Sequence, residues 1–193
     1  INIEHPGIFL DFMKKDKIHI DTIELDEGEK IPKLDAYDAM IVMGGPMDTW
    51  QEEAHPWLKV EKEEIHKFVS VMKKPFLGLC LGAQLLSEVV GGKVRKMKTP
   101  EIGVMDISIT NTSSIFSGMN KNLKVLQWHS YEVCDLPQST NLLASSPLCG
   151  VQAFSFGNSF GLQFHVEQTN ETVPQWACVP EYKSALEKTL GSN

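Results

Sequence analysis

Short apolar runs alternate with amphipathic stretches through the first half of this chain. Residues 35–43 end on Met40-Ile41-Val42-Met43, apolar at successive positions, and stop at Gly44-Gly45-Pro46. A run of this kind reads as a strand buried on both faces. Pro56 suits the first turn of a helix, and Leu58, Ile65, Phe68, Val69 and Met72 recur at helical spacing through Lys73. Residues 75–79 read as a second buried strand, residues 81–90 as a helix, and Gly91-Gly92 as its stop.

The second half changes period. Residues 104–110 alternate like a half-exposed strand, and 123–126, 131–133, 151–156 and 160–164 read as further short strands. Residues 169–178 contain Pro174 and little periodicity, which predicts a loop. Residues 181–190 predict the beginning of a final helix. The expected fold is α/β, with a largely parallel central sheet, helices on both faces and antiparallel strands late in the chain. At 193 residues the chain suits one domain, taken as 1–193, with no repeat or linker dividing it.

The densest chemical signal is Gly78-Leu79-Cys80-Leu81-Gly82-Ala83-Gln84. It sets a cysteine between two glycines where a buried strand passes into a helix, the layout of a nucleophile elbow. On so sharp a turn, side chains two residues either side of the nucleophile would collide, and Gly78 and Gly82 avoid this. The helix N-terminus below the thiol favours thiolate. A cysteine that merely packs in a core has no need of glycine on both sides.

A thiolate needs a base and a group that orients it. Gly161-Leu-Gln-Phe-His165-Val-Glu167 follows a predicted strand, and on extended backbone His165 and Glu167 share a face. The carboxylate can fix the imidazole tautomer, leaving the other nitrogen to exchange a proton with Cys80. The competing reading is a solvated histidine and glutamate at a strand end. The glycines of Met43-Gly44-Gly45-Pro46 let the backbone come close, so this turn can offer an amide to an oxyanion beside that of Leu81.

Composition narrows the field. Eighteen basic against twenty-five acidic residues give a net charge of −7, which repels nucleic acid and anionic membranes. No apolar run is long enough for a membrane span. Four separate cysteines (Cys80, Cys134, Cys149, Cys178) predict a reducing, cytoplasmic setting without disulfides. The histidines lack metal-site spacing, so neither a metal nor another cofactor is expected.

In this order, the three motifs resemble the class I glutamine amidotransferases, and within that class the stand-alone relatives of the GMP synthase glutaminase domain. The resemblance runs from about residue 35 to 167 and includes Glu101 to Val104. It implies that Cys80 attacks the side-chain amide of glutamine, with His165 as the proton carrier and Glu167 behind it. The amides of Gly45 and Leu81 would hold the oxyanion. Gln84, His129, Ser130 and Tyr131 would bind the substrate, although many relatives carry aspartate where this chain has Tyr131 and proline where it has Val166. The expected partners are L-glutamine or a γ-glutamyl compound and a separate synthetase subunit, since no ATP-binding loop is present. Cleavage of γ-glutamyl peptides by the same triad and a non-catalytic binding module are the alternatives. The resemblance also implies a C-terminus trimmed relative to the family.

Overall fold

The computed structural model describes residues 4–112 and 114–191. Residues 1–3, Ser113 and residues 192–193 of the expected domain span lie outside it. Seven strands form one sheet: β1 (Met40–Val42), β2 (Phe76–Leu79), β3 (Lys93–Ile109), β4 (Asn122–Cys134), β5 (Asn141–Ser145), β6 (Ala153–Phe156) and β7 (Ser159–Leu162). Their order is β1-β2-β7-β6-β5-β3-β4. Parallel pairing is concentrated in β1, β2 and β7. Antiparallel ladders then add β6, β5, β3 and β4.

The central strands are short and apolar because both faces are covered. Phe76 of β2 joins the core beneath helices α2 (Trp57–His66) and α3 (Leu81–Val89), whereas Leu79 joins the core on the opposite face. The same alternation sends Phe154 of β6 to the first core and Ala153 to the second. Leu58 and Ile65 of α2 and Leu85 and Leu86 of α3 are fully buried, each worth about 1.5–3 kcal/mol of burial. Helix α1 (Ile8–Lys15) lends Phe9 to the second core. A third cluster packs Trp128 of β4 against α4 (Thr172–Trp176) and α5 (Pro180–Leu190).

Four details depart from the sequence pattern. Strand β3 begins at Lys93, well before 104, because its first half is charged and pairs with β4 up to a register break between Lys96 and Glu101. The expected strands 123–126 and 131–133 are one strand, β4, whose polar middle is buried rather than looped out. Strand β5 has too few residues to show a period. The segment 169–178 contains the helix α4 around Pro174 instead of being loop throughout.

The elbow depends on missing side chains. A Cβ on Gly78 would sit 2.4 Å from the Gly82 carbonyl carbon, and one on Gly82 would sit 2.2 Å from the Val42 carbonyl oxygen. Both clashes are with backbone, so nothing flexible can yield. Gly82→Ala is expected to destabilise the fold by about 2–4 kcal/mol in urea unfolding. Gly150→Ala, which meets nothing within 4 Å, serves as the neutral control.

Candidate active site

Strand β2 ends at Leu79, and the next residue turns sharply. Cys80 has φ +49° and ψ −104°, a conformation that L-residues tolerate only when their surroundings fix it. Its amide donates to the Leu162 carbonyl at 2.8 Å, and the Gly82 amide donates to the Met43 carbonyl at 3.2 Å. These two bonds hold the elbow between β7 and the Gly-Gly-Pro turn. Leu81 is the first residue of α3, where an amide has no acceptor within the helix.

The β2–β7 register brings the distant histidine to the cysteine. Leu79 pairs with Leu162, so Gln163 and then His165 follow beside Cys80. The His165 amide donates to the Leu126 carbonyl of β4 at 2.9 Å, fixing its backbone. His165 Nδ1 bonds Glu167 Oε1 at 2.7 Å, and the ring also hydrogen-bonds Cys80. Burial alone would hold imidazolium down. The Cys80 sulfur and the Glu167 carboxylate outweigh burial and raise His165 well above the ordinary imidazole range. Burial likewise opposes ionised Glu167, but His165 and the backbone amides overcome it and lower this carboxyl. The Val166 amide donates to Glu167 Oε2 at 2.8 Å.

Sequence reasoning missed four groups around this line. Trp176 of α4 meets the His165 ring edge-on, with centroids 4.5 Å apart. Glu4, 4% exposed, accepts from the Tyr182 hydroxyl of α5 and keeps Oε2 without a hydrogen-bond partner. Burial raises the Glu4 carboxyl, against the pull of His165 and Tyr182. Gly44 makes room for it: a Cβ there would lie 2.7 Å from Glu4 Oε2 and 3.3 Å from His165 Cε1. Gln163, 1% exposed, accepts from Gln84 Nε2 at 3.1 Å and turns its own amide toward Cys80 Sγ at 3.7 Å. The only signal for Gln163 was its place two residues before His165. Glu4, Trp176 and Tyr182 carried no local pattern.

The expected substrate-binding residues meet at one open cleft of about 540 Å³. It is lined by Gly45, Cys80, Leu81, Gln84, His129, Ser130 and Tyr131, and α5 closes its far side. Not all of them present a free polar group. The two His129 nitrogens contact the Tyr131 carbonyl at 2.8 Å and Glu101 Oε2 at 3.0 Å, so the ring is committed to the protein. Gln84 likewise spends its amide on Gln163 and the Tyr131 carbonyl. A second cavity, about 310 Å³, lies between β1 and residues 18–25 and does not include Cys80 or His165 in its lining.

Two buried groups gather metal-type donors within 4.8 Å, Glu101–His129–Cys149 and Glu4–His165–Glu167. In the first, Glu101 also accepts from Ser146 and Gln152 at 2.6 Å each, and Cys149 donates to the Val151 carbonyl at 3.3 Å. These donors are already satisfied by protein. The second shares its imidazole with Cys80. The spacing along the chain did not foresee either grouping.

A nucleophilic cysteine on an elbow, an imidazole against it and a carboxylate behind the imidazole define a cysteine amidohydrolase site on an α/β sheet. The sequence matches the glutamine amidotransferase class-I family over residues 11–175, and the chain belongs to that family. It is 35% identical over 145 residues to the glutamine-hydrolysing subunit of GMP synthase from Saccharolobus solfataricus, covering 71% of each chain. It is 34% identical over 146 residues to gamma-glutamyl peptidase 3 of Arabidopsis thaliana, covering 72% of this chain and 57% of that protein. The chain therefore spans little more than half the length of that peptidase. Among solved structures, a glutamine amidotransferase from Thermotoga maritima superposes with a TM-score of 0.89 at 33% identity, covering 97% of this chain and 81% of the other.

Two outcomes follow from the buried groups. Burial pushes the Cys149 thiol up to about 12, so native protein treated with iodoacetamide is expected to leave Cys149 unmodified while exposed Cys178 reacts, read by peptide mass spectrometry. Glu101, which burial would raise, is held low by His129, Ser146 and Gln152, and Glu167 is also low. Their stabilisation is present above the ordinary carboxyl range of about 4.3 and is lost as pH falls through the depressed values. The urea midpoint is therefore expected to drop on acidification below about pH 5. Glu101→Gln should lower it at neutral pH and flatten the acid dependence.

Proposed function

We propose that this chain hydrolyses the side-chain amide of L-glutamine through a thioester on Cys80, giving glutamate and ammonia for a separate acceptor. The observation that carries the reading is the buried line Cys80–His165–Glu167, open to solvent only through the cleft. Cys80 Sγ attacks the amide carbon while its proton resides on His165 Nε2. The resulting oxyanion rests between the Gly45 and Leu81 amides, where loss of one donor typically costs about 2.7–4 kcal/mol. His165 passes its proton to the departing nitrogen, and the carbon–nitrogen bond breaks to leave the γ-glutamyl thioester and ammonia. Water then attacks the thioester, with His165 taking its proton, and glutamate leaves as the sulfur recovers its electron pair. Glu167 fixes the ring tautomer throughout.

The span 1–193 acts as one catalytic domain, without metal or other cofactor. Ammonia passes to a separate synthetase subunit, in keeping with relatives named for the glutamine-hydrolysing subunit of GMP synthase. The net charge of −7 disfavours nucleic acid as a partner. Among the described residues no helix is long and apolar enough to cross a membrane, and we place the enzyme in the cytoplasm on its sparse, unpaired cysteines.

A second reading has its own support. The cleft continues past the reacting centre to Pro100, Ser184 and Lys188, room that a γ-glutamyl peptide would occupy, and one relative is named as a gamma-glutamyl peptidase. A panel of glutamine, γ-glutamyl dipeptides and γ-glutamyl conjugates separates the two by which substrate releases ammonia or amine fastest. Cys80→Ala is expected to abolish turnover of every member. Undiminished glutamate release by that variant would end the thioester mechanism.

A further inference from the structure

The position where many relatives carry aspartate is Tyr131, and its ring is taken up by Trp50, with centroids 4.7 Å apart at 64°. A tyrosine packed in this way supplies no charge to a substrate ammonium. The cleft contains four charged side chains: Asp48, Lys96, Glu181 and Lys188. Glu181 and Lys188 stand exposed on α5, where water screens them. Asp48 is half-buried. It lies three residues beyond Gly45 on the same turn, with its backbone amide tied to Gln51 Oε1 at 2.8 Å.

The Asp48 carboxylate accepts no hydrogen bond among the described residues, so a partly desolvated anion faces the cleft without a close donor. Burial raises its carboxyl, and the Lys96 charge pulls the other way. Lys96 pairs directly with Tyr131 across β3 and β4, and Asp48 is felt electrostatically at Tyr131. The cleft thus has a nucleophile at its floor and two opposite charges on one wall beside Tyr131. A γ-glutamyl compound has its reacting carbonyl three carbon–carbon bonds from an α-carbon bearing one ammonium and one carboxylate.

We propose that Asp48 receives the α-ammonium of the substrate and Lys96 its α-carboxylate, so that this wall selects free γ-glutamyl amino-acid ends. The assignment rests on the functional reading above, and the same wall serves glutamine or a γ-glutamyl peptide. Asp48 and Lys96 are specificity determinants. They act on binding and leave the thiol chemistry to the triad.

The test crosses two variants with two clipped substrates. Glutaramate is glutamine without the α-amine, and 4-aminobutanamide is glutamine without the α-carboxylate. Asp48→Asn is expected to raise KM for glutamine about tenfold to a hundredfold with little change in kcat. Its preference for glutamine over glutaramate should collapse. Lys96→Gln is expected to erase the preference over 4-aminobutanamide instead. Calorimetry with glutamate and glutarate reads the same subsite without turnover: Asp48→Asn should weaken glutamate and leave glutarate unchanged. If Asp48→Asn keeps the wild-type ratio in both kinetics and calorimetry, or weakens both ligands of a pair equally, the assignment is overturned. Wild-type protein that binds glutamate with the expected Asp48 dependence yet releases nothing from glutamine would instead count against the glutaminase reading alone.

Discussion

The site depends on the contact of one backbone with another, the first turn of α3 against the end of β1. Gly82 sits where any side chain would strike the Val42 carbonyl, and Gly78 faces the Gly82 backbone directly. With that approach closed, Cys80 has one conformation available, at positive φ. The strain is sustained by ladder bonds to Leu162 on one side and Met43 on the other. Because β2 and β7 are parallel and in register, the same contact that aims the sulfur also sets the height of His165 beside it. Loosening the turn would move both groups at once.

The molecule buries two histidine–carboxylate pairs, and their difference explains which one can do chemistry. His129 presents one nitrogen to Glu101 and the other to the Tyr131 carbonyl. Both neighbours are acceptors, so the ring must donate on both sides or share a proton with Glu101, and no exchange with a substrate is open to it. His165 also bonds a carboxylate, but its second nitrogen faces a thiol. A thiol can give a proton and take one back. The first pair therefore serves as a buried brace that fixes the Tyr131 carbonyl and, through it, Gln84. The second is a proton carrier held in one tautomer.

Legibility in the sequence followed the range of the physics. The elbow was readable because its requirements are local: glycine, nucleophile and glycine at a strand–helix junction. The His165–Glu167 pairing was readable because alternate residues share a face of extended chain. Strand β3 escaped because charges on its exposed side mask the period, and β4 looked broken because its polar middle is satisfied by a buried network that no sequence window contains. Trp176 was passed over within a segment read as loop, although it lies against the catalytic ring. Glu4 and Tyr182 meet across nearly the whole chain, and no local rule connects residues so far apart.

That last pair changes how the site is held together. The Ile8 amide donates to the Glu167 carbonyl at 2.8 Å, and Gly7, at φ +50°, lies so close to that carbonyl that a Cβ would overlap it at 1.8 Å. Tyr182 reaches Glu4 from α5, and Trp176 and Tyr182 stack with Trp128 over the ring. The imidazole is thus enclosed by chain from both ends, while the sheet supplies only its floor. Enclosure has an electrostatic consequence. A carboxyl as deeply buried as Glu4, beside Glu167, is held toward its neutral form, so the imidazolium keeps a single strong counter-ion behind it. With one anion at Nδ1 and the sulfur at the other nitrogen, the ring has a fixed direction for its proton. That direction makes a buried imidazole a carrier rather than a mere ion-pair partner.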